Sequence, residues 1–129
     1  MPPSCKIVVL QQEIPLSTIK HILRVCHQHG IITILNPAPA SPELTLQDEE
    51  FGFADIIIPN ETEAQLITGI PEGKEEEMMD ILASQHPQQL VVMTRGKRGA
   101  IIRRGNEVCF DMKGMRRQSP SYSHSPSDL

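Results

Sequence analysis

Tryptophan is absent from this sequence, and the aromatic residues together make up only 3% of its 129 residues. Any core must therefore be built from Ile, Leu and Val. The chain is long enough for one ordinary domain and too short for two sizeable ones. Its hydrophobic content of 39% and charged content of 22% are typical of a globular protein.

Cysteine is scarce as well, and its spacing excludes two classes of protein. Cys5, Cys26 and Cys109 are odd in number and far apart, and no CxxC pair or Cys/His ligand spacing accompanies them. Neither a disulfide framework nor a zinc site is indicated. Three histidines, His21, His27 and His29, lie on or near the first predicted helix. They form no i, i+4 ligand pair on one helix face, so they are interpreted as surface residues.

An excess of positive charge and long apolar runs are also missing. The formal net charge is −4, which gives no electrostatic case for nucleic-acid binding. The basic cluster Lys113, Arg116 and Arg117 is interpreted as part of a solvated tail. Apolar runs such as residues 31–35 are too short to span a bilayer, and residues 1–6 do not resemble a signal peptide. We expect a cytoplasmic protein, with the nucleus as the alternative.

Strands alternate with helices along the chain. Residues 6–10 form a β-branched run that predicts a strand, Pro15 begins a helical pattern, and Gly30 ends it before a second buried strand at residues 31–35. Such a strand–helix–strand unit places its two strands parallel. The same criteria predict strands at 55–58 and 90–93, helices at 61–68 and 74–85, a weak helix within 41–51, and a hairpin of residues 100–103 and 107–110.

Polar side chains follow the third predicted strand. Asn60, Glu61 and Glu63 stand where that strand passes into a helix, and open α/β sheets bind ligands at this edge. An amide and two carboxylates suit phosphate oxygens and a hydrated Mg²⁺, which keeps several waters and takes few protein carboxylates. Two simpler interpretations stay open: Asn60 is only an N-cap, and Glu63 is only a solvated first-turn acid.

Five motifs in the same order resemble one family across residues 7–110. They are Val-Leu-Gln-Gln-Glu-Ile-Pro at 9–15, Leu-Asn-Pro-Ala-Pro-Ala at 35–40, Pro-Asn-Glu-Thr-Glu-Ala at 59–64, Leu-Ile-Thr-Gly-Ile at 66–70, and Thr-Arg-Gly-Lys-Arg-Gly-Ala at 94–100. Together they resemble the ribokinase-like members of the PfkB-type carbohydrate kinases. The last motif is similar to that family's T-x-G-x-x-G nucleotide loop.

The resemblance implies an α/β, Rossmann-like, mostly parallel sheet flanked by helices, with a C-terminal hairpin. Residues 1–111 would form a partial ribokinase-like domain, and residues 112–129 a disordered Ser/Pro-rich tail. The activity implied is ATP-dependent phosphorylation of ribose with Mg²⁺. The resemblance leaves K⁺ open as a further cofactor, but its expected site is absent from this sequence.

The resemblance also implies roles for six residues. Glu13 would accept hydrogen bonds from sugar hydroxyls, Asn60 would contact the ATP phosphates, and Glu63 would organise Mg²⁺ and its waters. Thr94, Gly96 and Gly99 would line the nucleotide site, the glycines allowing close approach of the backbone. Alternatively, Glu13 is an acid before a proline and the Thr94 loop is a bare turn.

No catalytic residue is assigned, because the sequence lacks the family's Gly-Ala-Gly-Asp motif. That motif supplies both the base and the anion hole of the relatives, and Asp111 and Asp128 do not lie in such a glycine turn. The chain resembles a central part of a sugar kinase, a truncated or alternative product. We therefore expect an incomplete sheet with exposed apolar surface, and no kinase activity alone. The alternative is a non-catalytic nucleotide-binding or regulatory module that pairs with a full-length kinase subunit.

Overall fold

A six-stranded sheet forms the centre of the computed structural model, which describes residues 4–39, 43 and 45–113, with side chains up to Glu107. Its strands lie in chain order, and the first four are parallel, whereas the last two form an antiparallel hairpin. The strands are β1 (Ile7–Gln11), β2 (Ile32–Asn36), β3 (Ile56–Ile57), β4 (Leu90–Thr94), β5 (Gly99–Arg104) and β6 (Glu107–Lys113). The helices are α1 (Leu16–Gln28), α2 (Glu49–Phe53), α3 (Glu61–Thr68) and α4 (Glu75–Gln85).

The predicted α/β class is confirmed, and most predicted elements are found within one or two residues of their expected bounds. The weak helix is a single short element, α2, which begins later than predicted. The third strand is only two residues long. The last strand continues to Lys113, because Met112 pairs with Ala100 and Lys113 with Gly99. Residues 114–129 of the predicted tail lie outside the described residues.

The helices lie on one face of the sheet. Each crossover from β1 to β4 steps in the same direction, and crossovers of the usual right hand then place their helices on one side. The buried side chains agree with this arrangement: Leu10, Leu35, Ile57 and Met93 point from the strands into one core. The helices contribute most of the remaining core residues, including Ile19, Leu23, Phe51, Met78, Met79 and Leu82.

The opposite face of the sheet is aliphatic and uncovered within the described part of the chain. Its side chains alternate with the buried ones, and the register joins them across neighbouring strands. We call this surface the open face; it consists of Ile7, Val9, Ile32, Ile34, Ile56, Leu90, Val92 and Ile102. None of these residues is buried, and Val9 is 63% exposed.

Candidate functional site

The carboxyl ends of β3 and β4 meet at one edge of the sheet. The Thr94 backbone N–H donates a hydrogen bond to the Pro59 carbonyl oxygen at 2.9 Å, and Asn60 pairs with Thr94 in a parallel bridge. Two segments far apart in sequence therefore lie side by side. These are the segments in which the sequence predicted phosphate contacts and a nucleotide loop.

Asn60 and Glu63 form a reciprocal capping box at the start of α3. The Glu63 backbone N–H donates to Asn60 Oδ1 at 2.8 Å, and the Asn60 N–H donates to Glu63 Oε1 at 2.9 Å. Glu63 is only 6% exposed, so the interpretation as a merely solvated acid is wrong. The N-cap role of Asn60 is real, but it occupies only the amide oxygen. Asn60 is exposed, and within the described part of the chain its Nδ2 has no hydrogen-bond acceptor.

The loop after β4 is a tight turn built on two glycines. The Arg95 N–H donates to the Gly99 carbonyl at 2.7 Å, and a 3-10 turn spans Gly96–Arg98. Gly96 has φ 61°, and Gly99 has φ 86° with ψ −141°, conformations that L side chains rarely adopt. No atom lies within 4 Å of a Cβ placed on Gly96, so that side of the loop is open space. A ligand can therefore approach the backbone there.

An ionic network fixes this loop to α3 and α4. Arg98 binds Glu61 in the first turn of α3 and Glu75 in the first turn of α4. Arg95 Nη1 lies 3.2 Å from Glu75 Oε1, and its Nη2 donates to the Arg98 carbonyl at 2.9 Å. The Arg95 side chain is almost fully buried, so its pair with Glu75 is shielded from solvent. The network holds the loop against the capped end of α3.

The two acids of the network have opposite pKa shifts because they share a hydrogen bond. The bond to Glu75, together with burial, raises the pKa of Glu61. Burial alone would raise the pKa of Glu75, but hydrogen bonds from Glu61, Arg98 and Arg95 outweigh it and lower this pKa to about 2. Glu75 is therefore the permanent carboxylate of the network, and Glu61 is the member that takes up a proton first.

Acid is expected to weaken this network by protonating Glu75. The folded pKa of Glu75 lies below its ordinary value of 4.5, so its contribution to stability is present above that value and is lost as the pH falls toward about 2. The raised pKa of Glu61 has the opposite effect on stability. Because the Glu75 shift is the larger, we expect Glu75→Gln to flatten the decline in the free energy of unfolding over this range.

Urea unfolding monitored by circular dichroism at several pH values measures that slope. Glu77→Gln is the matched control, because Glu77 lies in the same turn of α4 but is exposed and, among the described residues, pairs only with Lys74 at 3.9 Å. Asp48 and Glu50 also have lowered pKa values, so part of the slope should persist. Equal slopes for the unchanged chain and Glu75→Gln would contradict the assignment.

Glu13 lies at the same edge of the sheet, beyond the end of β1. It is exposed, and the Gln12 N–H donates to the Ala38 carbonyl at 2.8 Å, which joins the exits of β1 and β2. Two strand spacings, about 10 Å, separate β1 from β3. The six sequence-predicted residues thus share one edge, with Glu13 set apart from the group of Asn60, Glu63 and the Thr94 loop.

The sequence matches the description "pfkB family carbohydrate kinase" over residues 4–115. The chain belongs to the pfkB family. It is 44% identical to the ribokinase of Staphylococcus aureus over 73 residues, which is 57% of this chain and 23% of that protein. It is 34% identical to the deoxyribokinase of Salmonella typhi over 110 residues, which is 81% of this chain and 34% of that protein.

Solved pfkB-type structures agree with the fold. The Arabidopsis thaliana ribokinase complexed with ribose and ATP superposes with a TM-score of 0.70 at 25% identity, covering 88% of this chain and 36% of that one. The chain thus spans about a quarter to a third of the length of these relatives. The predicted family is confirmed, and the likeness covers both the capped start of α3 and the glycine loop.

The described residues contain no group of three or more His, Cys, Asp or Glu side chains arranged to hold a metal ion. None of their helices has the length and hydropathy needed to cross a bilayer. The acidic residues near Asn60 do not form a cage of carboxylates.

Proposed function

We propose that this chain binds MgATP at the edge where α3 and the Thr94–Gly99 loop meet, as part of a ribokinase-like sugar kinase site. The observation that carries the proposal is the pairing of Asn60 with Thr94. It sets an exposed amide donor beside a loop in which Gly96 leaves the backbone accessible. Phosphate oxygens bind well to backbone N–H groups near a helix N-terminus.

The chemistry of each residue determines its proposed role. Asn60 Nδ2 would donate to a phosphate oxygen, because Oδ1 is already engaged in the cap. Glu63 would act on Mg²⁺ through water rather than directly, since it is buried and one of its oxygens accepts from Asn60. When bound, the ion supplies charge neutralisation for the phosphates. Gly96 and Gly99 would let the nucleotide approach the turn closely.

Ribose is the proposed sugar, with Glu13 as its hydroxyl acceptor. The relatives include a ribokinase and a deoxyribokinase, which supports a pentose as the sugar class. Glu13 is exposed at the same edge, about two strand spacings from Asn60. A pentose next to a terminal phosphate can bridge such a gap. This assignment rests on the motif at residues 9–15 and on the position of Glu13 beyond β1.

Transfer of the phosphoryl group is not expected from these 129 residues alone. The reaction needs a base within hydrogen-bond reach of the sugar hydroxyl and a group that stabilises the transferring charge. The sequence contains no Gly-Ala-Gly-Asp segment to supply them. We therefore expect nucleotide binding without turnover.

A coupled assay of ADP release tests this expectation. Ribose or deoxyribose is added to a mixture of the chain and MgATP, and the rate of ADP release is measured. The Staphylococcus aureus ribokinase serves as the positive control. The expected rate equals the background without sugar. A sugar-dependent rate well above background would show that another carboxylate serves as base and would contradict the proposal.

The alternative candidate is a non-catalytic module that binds nucleotide and associates with a complete sugar kinase subunit. The sequence favours this candidate because it lacks the base and the anion hole that turnover requires. The two candidates differ when the chain is mixed with an active ribokinase. A change in the kinetics of that enzyme supports the module, and unchanged kinetics support the simpler proposal.

A further inference from the structure

Two carboxylates meet at one nitrogen atom of Arg98, in the loop that follows β4. Arg98 Nη2 binds Oε2 of Glu61, in the first turn of α3, and Oε2 of Glu75, in the first turn of α4. The other oxygen of Glu75, Oε1, lies 3.2 Å from Arg95 Nη1. One guanidinium group therefore connects the loop to the starts of two helices.

The charges of this cluster balance, because two arginine side chains face two carboxylates. A phosphate that bound Arg98 directly would have to displace Glu61 and Glu75 from the same nitrogen atom. Glu75 resists displacement, since its side chain is only 15% exposed and both of its oxygens accept from arginine. Arg98 is thus engaged with protein carboxylates, although its side chain is 56% exposed.

The backbone of the loop is closed by the same residues. The Arg95 N–H donates to the Gly99 carbonyl at 2.7 Å, and the Arg98 N–H donates to the Arg95 carbonyl at 3.1 Å. Arg95 Nη2 also donates to the Arg98 carbonyl at 2.9 Å, so the side chain that pairs with Glu75 closes the turn as well. Gly96, which borders open space, lies between these bonds.

We propose that Arg98 is a positioning residue of the nucleotide site. With Glu61 and Glu75 it holds the Thr94–Gly99 loop in the shape that receives a phosphate, without binding the phosphate itself; this role rests on the proposed binding of MgATP. A loop that is already ordered loses less conformational entropy when its ligand binds, so preorganisation raises affinity. The network also holds the loop beside Asn60, because Glu61 is the next residue in the chain.

Glu75→Gln separates positioning from direct phosphate binding. The substitution releases Arg98 from a carboxylate and removes a negative charge near the site. If Arg98 bound the phosphate, or if charge alone mattered, MgATP would bind more tightly. Positioning predicts the reverse, because the loop loosens. We expect the dissociation constant to rise by roughly threefold to tenfold, the cost of ordering one or two side chains again.

Calorimetric titration of MgATP into the full chain measures these affinities. Arg98→Met should weaken binding as Glu75→Gln does, and the double variant should be little worse than either, because both remove one contact. Glu77→Gln is the matched control for charge, since Glu77 is exposed in the same turn of α4. Arg104→Met is the control for Arg98, since Arg104 is exposed at the far end of β5, about 20 Å away and beyond the Debye length. Neither control should weaken binding.

Amide hydrogen exchange measured by NMR without nucleotide reports the loop itself. The N–H groups of Arg95 and Arg98, which close the turn, should exchange faster in Glu75→Gln. The expected factor is the same as for the affinity, because both measurements depend on the free energy of ordering the loop. The Leu90 N–H, which donates to the Asp55 carbonyl at the other end of β4, should be unchanged.

Each outcome decides the question. Tighter or unchanged MgATP binding by Glu75→Gln overturns the positioning role, and so does unchanged exchange of the two loop amides. Equal weakening by Glu77→Gln overturns it as well, because the effect would then be one of charge. If the unchanged chain binds no MgATP, the proposed function itself is wrong, whereas a failure of Glu75→Gln alone contradicts only the role of Arg98. Circular dichroism of each variant confirms that the fold is retained.

Discussion

Phe51→Ala is expected to remove most of the free energy of unfolding of this chain. Phe51 is the largest fully buried side chain of the single core, and its ring lies 6.0 Å from that of His86. Truncating a buried Phe costs about 3–5 kcal/mol. A small domain has a total stability of about 5–15 kcal/mol, and an uncovered sheet face places this one toward the lower end. The loss is therefore most or all of the stability.

Urea unfolding followed by circular dichroism gives the size of this effect. Phe53→Ala is the matched control, because Phe53 is only half-buried and stacks on His27 with ring centroids 4.2 Å apart. We expect that control to lose about 1 kcal/mol, the contribution of one exposed ring pair. Similar losses for both variants would show that the core is not concentrated at Phe51.

Asn60→Asp is expected to weaken MgATP binding without weakening the fold. Aspartate caps helices as well as asparagine does, so the bond from the Glu63 N–H should persist. The substitution removes the only donor of this side chain and adds a negative charge beside the proposed phosphates. Losing a hydrogen bond to a charged group costs about 1.5–3 kcal/mol. We therefore expect affinity to fall by about tenfold or more.

Local signals in the sequence predict the elements that frame the site. The bounds of α3 follow from its own residues, since Asn60 caps its start and Gly69, at φ 76°, ends it in the left-handed conformation. The hairpin follows similarly from Gly105 and Asn106, which lie between the two predicted strands. These features depend on contacts between residues only a few positions apart.

The ionic network could not be predicted in the same way. Arg98 and Glu75 are 23 positions apart, and nothing local distinguishes Glu75 from its neighbours Glu76 and Glu77. Glu75 differs from them only because α4 lies beside the loop after β4, which brings Glu75 into contact with Arg98. The burial of Glu63 was missed for a related reason, because an acid in a first turn is usually solvated.

The open face was foreseen only in part. The sequence lacks segments that the relatives have, and this predicted an exposed apolar surface. It did not predict which face of the sheet carries that surface. Ile7, Val8, Val9 and Leu10 are all aliphatic, so period-two alternation cannot distinguish the two faces of β1. The order of the strands makes the distinction, because it places every helix on one side.

Calorimetric titration of MgATP into the unchanged chain and into Asn60→Asp tests the nucleotide proposal most directly. The proposal predicts saturable binding of one nucleotide to the unchanged chain, and an affinity reduced by about tenfold or more in Asn60→Asp at an unchanged melting temperature. If the unchanged chain gives no binding heat at several temperatures, or if both proteins bind equally well, Asn60 is a helix cap only and the proposal is wrong.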